Sequence, residues 1–213
     1  MTVHVSSHGD VVVVETRGPL VEWRRIEEVN TALRTQIDAG QRKILLDLAR
    51  TDFMTSMAIG VLVGIQVNAF KNGAALYLCN VTKRIRDTLL ILWLLRVLNV
   101  LGSRDEAIAF LSTMDLTLSP DNFSFRVGQV DRFSGHLTFS WPNTGSLARV
   151  NQETCGGGFA TLHVRDAKNH EVYTHNLADM GRFPTAEGKA GDWSIELDFL
   201  EYSGPLQVAV ERT

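Results

Sequence analysis

The stretch that decides the fold is Lys43-Ile-Leu-Leu-Asp-Leu-Ala-Arg-Thr-Asp-Phe-Met-Thr-Ser-Met-Ala-Ile-Gly-Val-Leu-Val-Gly-Ile-Gln-Val-Asn-Ala-Phe-Lys-Asn-Gly-Ala-Ala-Leu-Tyr-Leu-Cys-Asn80. Ile44 to Leu48 is a short apolar run, as expected of a central strand buried on both faces. Ala49 to Met54 is a loop, and Thr55-Ser56 opens a helix running to Phe70. No residue from Phe53 to Phe70 is charged. Asn72-Gly73 stops the helix, and Ala75 to Cys79 is the next strand. A hydroxyl at the start of such a helix is a place for a phosphate switch, because the helix dipole tolerates negative charge there.

Working outward, the first half alternates strand and helix. Val11 to Val14 is a β-branched strand ended by Gly18-Pro19. Ile26, Val29, Leu33 and Ile37 recur at helical spacing between Val21 and Ala39, with Gly40 as the stop. A helix begins near Thr82, and a closing helix spans Ser103 to Leu111 with Ser103 and Glu106 as a capping box. Alternation of this kind predicts an α/β sheet covered by helices. The run Leu89 to Leu95 is membrane-like, but Arg96 and Asn99 interrupt it short of the roughly 20 apolar residues a span needs. It reads as a buried helix or a partner surface.

After Met114 the pattern changes. Asp115 to Asn122 reads as a linker, which divides the chain into residues 1–113, a linker 114–122 and residues 123–213. The last part shows no convincing helix. Strands are expected at Phe123–Val130, Gly135–Trp141, Leu147–Asn151, Phe159–Arg165, Glu171–Asn176, Trp193–Phe199 and Leu206–Val210. Ser203-Gly204-Pro205 is read as the turn between the last two. Across Asp166–His170, Arg165 is expected to face Glu171 and Val164 to face Val172. Short strands with turn signals predict an all-β sandwich.

Composition narrows the function. Of 213 residues, 45% are hydrophobic and 21% charged, an ordinary globular balance. The net charge of −3 offers no basic field for nucleic acid. Cys79 and Cys155 form no Cys-x-x-Cys pair, so they read as two reduced thiols or one disulfide. The first residues lack a basic region followed by an apolar core, so no signal peptide is expected and a cytoplasmic location is. Gly156-Gly-Gly158 leads into no helix and is not a phosphate-binding loop. His4, His8, His163 and His175 read as surface histidines without a metal-ligand set. Asp166, Asp179 and Asp192 occupy turns and match no calcium-loop spacing. Trp141 and Trp193 read as sandwich core before a sugar platform. No nucleophile stands beside a base, so neither an enzyme nor a cofactor is expected.

Over Val3 to Leu111 the order resembles the STAS domain, the fold of bacterial anti-sigma factor antagonists. Members show a strand ending in Asp, here Asp47, then an Asp-Ser-Ser-Gly-Leu-Gly-like box at a helix start. Here the box reads Thr55-Ser-Met-Ala-Ile-Gly60, so Thr55 replaces the Asp and Met57-Ala58 replace Ser-Gly. Lys71-Asn-Gly73, the basic turn Val81 to Arg86 and the closing helix from Ser103 keep the order. The resemblance implies a non-enzymatic regulator bound by an anti-sigma factor or kinase-like partner. It implies phosphorylation at Ser56, with Thr55 the alternative acceptor. It places the partner surface on Asp52, Met54, Met57, Ile59, Gly60 and Val63. Two other readings stay open. Ser56 is also a plain N-cap, and the charge-free helix is either buried or a face for a partner or for self-association. In the second functional reading, the β-sandwich binds a glycan or protein and the STAS-like half serves assembly.

Overall fold

The structure, a computed structural model, describes residues 3–154 and 156–213. The chain divides into two compact units, Met1–Ser112 and Thr113–Thr213. Cys79 is a free, buried thiol, whereas Cys155 and the first two residues lie outside the described residues.

The first unit is a mixed α/β sheet. Its strands are β1 (Val3–His8), β2 (Val11–Arg17), β3 (Lys43–Arg50), β4 (Ala75–Cys79) and β5 (Asn99–Leu101), hydrogen-bonded in that order. β1 and β2 form an antiparallel hairpin, and β2 to β5 run parallel. The helices are α1 (Trp23–Asp38), α2 (Ser56–Lys71), α3 (Lys83–Ile91) and α4 (Arg104–Thr113). Helix α1 buries Ile26, Val29, Leu33 and Ile37, the stripe expected from spacing. That stripe shares one core with Val14, Leu46 and Leu78 of the sheet and with Leu62 and Ile65 of α2. Gly40 ends the α1 turn in the left-handed region, at φ 79°, where a Cβ is disfavoured. At the start of α4 the capping box forms. The Ser103 amide donates to Glu106 Oε2 at 2.9 Å, and the Glu106 amide donates to Ser103 Oγ at 3.4 Å.

The expectation of a buried helix through Leu89–Leu95 is corrected. Helix α3 stops at Ile91, and Trp93 turns left-handed with φ 57°. A 3-10 turn, Leu94–Arg96, then leads into β5. Asn99 directs this ending: it is buried, and its side-chain amide donates to the Leu76 carbonyl at 3.1 Å. Among the described residues no helix is long and apolar enough to cross a membrane.

The second unit is a β-sandwich built on one long ribbon. Its strands are β6 (Asp115–Leu118), β7 (Asn122–Asn143), β8 (Ala148–Thr154), β9 (Gly157–Arg165), β10 (Glu171–Asn176), β11 (Gly181–Pro184) and β12 (Gly191–Arg212). β7 and β12 pair antiparallel along most of their lengths. The first half of β12 also pairs with β9, which pairs with β10. The second half pairs with β8, which pairs with β11. One ribbon thus passes from one layer to the other at a bend, as strands that switch sheets do.

That bend corrects a second expectation. Ser203-Gly204-Pro205 lies inside β12 and is an irregularity of register, not a turn. Arg132 and Glu201 both have positive φ there. Ser203 Oγ accepts from the Arg132 amide at 2.8 Å, and Ser134 Oγ accepts from the Glu201 amide at 2.9 Å. Nor are residues 115–118 linker: β6 pairs antiparallel with β7. The polar composition marks only the tight turn Ser119–Asn122, where the Ser119 amide donates to the Asn122 carbonyl at 2.8 Å. In the β9–β10 hairpin Arg165 faces Glu171 as expected, but a bulge after Glu171 puts Tyr173, not Val172, opposite Val164.

Trp141 and Trp193 face each other across β7 and β12, fully buried, as an edge-to-face pair with centroids 6.1 Å apart. Each indole N–H is satisfied by a carbonyl, of Ser119 at 2.9 Å and of Lys189 at 2.8 Å. They form core, and no sugar could reach them.

Candidate functional site

The site is assembled at the start of α2. The loop after β3 is zipped to the chain leaving β2. Leu20 N–H donates to the Phe53 carbonyl at 2.9 Å, and Thr55 N–H donates to the Leu20 carbonyl at 3.2 Å. Thr51 Oγ1 donates to the Gly18 carbonyl at 3.2 Å. Asp47 Oδ1 ties the ends of β3 and β4, accepting from the Ala49 amide and from Asn80 Nδ2, each at 2.9 Å. Arg104 Nη1 stands 3.7 Å from Asp47 Oδ2 and bonds Glu15 directly. That hydrogen bond to Arg104 holds the Glu15 carboxyl below its ordinary range. The start of α2 therefore sits on a frame braced from both neighbouring strands.

The cap is Thr55, not Ser56. Thr55 is extended, with φ −77° and ψ 163°, and its Oγ1 accepts from the Ala58 amide at 3.3 Å. Ser56 is the first helical residue, and it is exposed. This corrects the expectation of Ser56 as N-cap. Two adjacent hydroxyl residues both suit that position by type, and only backbone geometry separates them. Thr55 Oγ1 also lies 3.4 Å from the Leu20 carbonyl, so its hydroxyl is engaged on two sides.

The expected partner residues separate by burial. Met54 and Ile59 are core residues and form no outer surface, which corrects that part of the expectation. Met54 pairs with Leu20 as a parallel bridge, and Ile59 points into the core with Ala58, Leu62 and Ile65. Asp52, Met57 and Gly60 are exposed, and Val63 is half-buried. The exposed stripe continues through Gly64 and Val67, which sequence reasoning did not single out. Positions 57, 60, 64 and 67 follow the three- and four-residue spacing of one helix face. The available signal was the second glycine, four residues after the first. A Cβ at Gly60 or Gly64 would meet nothing within 4 Å. The packing of this chain therefore does not require glycine at either position.

Beside this face lies α3. The Arg84 guanidinium stacks on the Phe53 ring, 4.6 Å from its centroid. At the far end of α3, four consecutive apolar residues are exposed: Leu90, Ile91 (76%), Leu92 and Trp93 (69%). Arg96 stacks on Trp93 at 5.0 Å. These four successive residues leave much of their apolar surface uncovered within this unit.

Two histidines of β1 border the frame around Arg104: His4 is paired with Glu15, and His8 Nε2 lies 3.3 Å from Arg104 Nη2. In the second unit, His136 Nδ1 is 2.7 Å from Asp198, and His163 Nδ1 is 3.2 Å from Glu171. Carboxylates gather there through cross-strand pairing of β7, β9, β10 and β12. Burial raises the Asp198 carboxyl, but hydrogen bonding to His136 and the nearby histidine charges outweigh it and hold the group low. Among the described residues no group of three or more His, Cys, Asp or Glu is arranged to hold a metal ion.

With this geometry in view, comparison with known proteins is decisive for the first unit. Residues 2–107 match the STAS domain family. They are a STAS domain. BtrV of Bordetella bronchiseptica, whose name assigns it as an anti-sigma factor antagonist, is 29% identical over 94 residues, covering 44% of this chain and 81% of BtrV. An anti-sigma factor antagonist from Mycobacterium paratuberculosis is 17% identical, with a TM-score of 0.45, over 50% of this chain and 90% of its own. The phosphorylated form of the Bacillus cell fate determinant SpoIIAA is 20% identical, with a TM-score of 0.42, over 50% of this chain and 96% of its own. The assignment rests on the family match. STAS domains of this kind are characteristically non-catalytic regulatory modules. The β-sandwich lies beyond the matched residues.

Proposed function

We propose that the STAS domain is an anti-sigma factor antagonist that binds an anti-sigma or kinase-like partner through the outer face of α2, in the cytoplasm, and is released by phosphorylation of Ser56. The observation that carries this reading is an exposed hydroxyl on the first turn of a helix whose outward face is uncharged and apolar from Met57 to Val67. A phosphate on Ser56 adds roughly −1.5 to −2 charge. The helix dipole accommodates that charge, so the fold persists. The docking face, however, gains a dianion that a partner would have to desolvate, and this weakens binding. Asp52, Met57, Gly60 and Val63 form the contact, extended by Leu90–Trp93. Thr55 is the poorer acceptor, because its hydroxyl is already engaged.

The test is calorimetric titration of the host's anti-sigma factors with wild-type, Ser56→Ala and Ser56→Asp proteins. Ser56→Ala should bind like the wild type. Ser56→Asp should bind at least about thirtyfold more weakly, the effect of about 2 kcal/mol for a charge buried without a partner. Equal affinity of the two variants contradicts the switch.

A second reading, in which the β-sandwich binds a glycan, draws on one observation. Tyr173, His175 and Phe183 form a half-buried aromatic cluster on the sandwich, with His175 and Phe183 centroids 4.8 Å apart. Retention of the full chain on cell-wall polysaccharide, lost with Phe183→Ala, would favour it.

A further inference from the structure

Strand β1 is the outer strand of its sheet, and among the described residues it pairs with β2 alone. Its other side presents a row of backbone N–H and C=O groups. Natural edge strands that stay unpaired are blunted by Lys, Pro, bulges or inward charges. Val3-His-Val-Ser-Ser-His8 has no Lys, Arg, Asp, Glu or Pro, and its register with β2 is uninterrupted over six pairs. Alongside it, on the α1 side, lies a groove of about 640 Å³ lined by Val3, Val5, Trp23 and Ala32 together with the charged Glu27 and Glu28 of α1. Trp23 is 59% exposed and Val5 is 42% exposed. A bare hydrogen-bonding edge and an apolar groove along the same strand suit the same kind of occupant, an extended strand whose alternate side chains enter the groove.

We propose that this strand is β1 of a second copy of the chain, paired antiparallel about a two-fold axis at Val5. Directly opposite residues then share a face of one continuous sheet. Val5 meets Val5 of the second copy, Val3 meets its Ser7, and His4 meets its Ser6. Along β1 itself no charged pair is forced together, and on the α1 side of the groove Arg24 accompanies Glu27 and Glu28, so each copy brings charge of both signs. The helices fit as well. Helix α1 contacts β1, β2 and β3, so it is centred on β2. From β2 to the second copy's β2 is three strand spacings, roughly 14 Å. Helices in contact lie about 8–10 Å apart. The two α1 helices therefore leave a slot of about 5 Å, too narrow for a further helix and suited to large side chains. Trp23 of each copy fills it, and one association event covers both exposed indoles. This surface lies on the far flank of α1 from Ser56, so the proposal stands or falls separately from the phosphate switch.

The experiment uses the full chain. Light scattering after size-exclusion chromatography should give twice the monomer mass. In a Cys155→Ser background, where Cys79 is buried, Val5→Cys should cross-link between copies on oxidation. His8→Cys should not, because those positions would lie roughly 20 Å apart along the strands, beyond the ~7 Å Cα limit of a disulfide. Val5→Lys, at an exposed site, should give a folded monomer whose melting temperature, unlike that of the wild type, does not depend on protein concentration. A monomeric wild type overturns the proposal. So does a dimer in which Val5→Cys fails to cross-link, or one that persists in Val5→Lys. Should Val5→Lys fail to fold, the cross-linking pair still decides the matter.

Discussion

At the scale of single residues, the site turns on two neighbouring hydroxyls with different work. Thr55 closes the helix, since its Oγ1 takes the Ala58 amide that would otherwise lack a partner. Ser56 follows it as the first helical residue, with its side chain exposed. Stability measurements should separate them. Thr55→Ala should cost about 1 kcal/mol in urea unfolding, the usual loss of a cap. Ser56→Ala should change stability by no more than about 0.5 kcal/mol, as surface substitutions away from caps do. A larger loss at Ser56 than at Thr55 would contradict the capping geometry. The adjacency Thr55-Ser56 was legible in sequence, and so was the helix start. Which hydroxyl caps was not, because both side chains are competent and the choice is made by the extended Thr55 backbone tied to Leu20.

At the scale of the element, α2 is apolar along most of its length, and the tertiary fold divides it into two faces. Ala58, Ile59, Leu62, Ile65 and Ala69 are buried, whereas Met57, Gly60, Gly64 and Val67 are outside. Glycine in a helix interior is less stable than alanine by roughly 0.5–1 kcal/mol. The open space around Gly60 and Gly64 means that nothing in this chain offsets that loss. Gly60→Ala and Gly64→Ala should each raise stability by about 0.5–1 kcal/mol in thermal or urea melts. In the proposed complex each should weaken binding, because the partner's close approach uses the missing Cβ. If both variants are more stable and also bind as tightly as the wild type, the α2 face is not the contact surface. Helix periodicity could not reveal the division, since the helix has few polar residues and one of them, Gln66, is buried, where its Oε1 accepts from the Leu76 amide.

At the scale of the molecule, a STAS domain and a β-sandwich follow one another in the chain, each with its own core. The sandwich depends on the long β7–β12 ribbon and on the Trp141–Trp193 pair facing across it. Trp193→Ala removes a fully buried ring and should cost about 3–5 kcal/mol. The loss should appear as accelerated amide hydrogen exchange in β7 and β12. Unchanged protection in both strands would show that the pair is not central to that core.

Composition and periodicity alone determined the α/β alternation of the first half, the buried stripe of α1 and the all-β character of the second half. These are local or repeating patterns, written in which residues recur and at what spacing. Tertiary structure alone decided that Asp115–Leu118 is a strand and that β12 runs through Ser203–Pro205. It also decided that the Leu89–Leu95 run breaks at Trp93, and that Met54 and Ile59 face inward while Gly64 and Val67 face outward. Each of these depends on a partner distant in sequence. A strand needs a neighbour to receive its hydrogen bonds, and an apolar residue becomes core or surface only when another element covers it or leaves it bare.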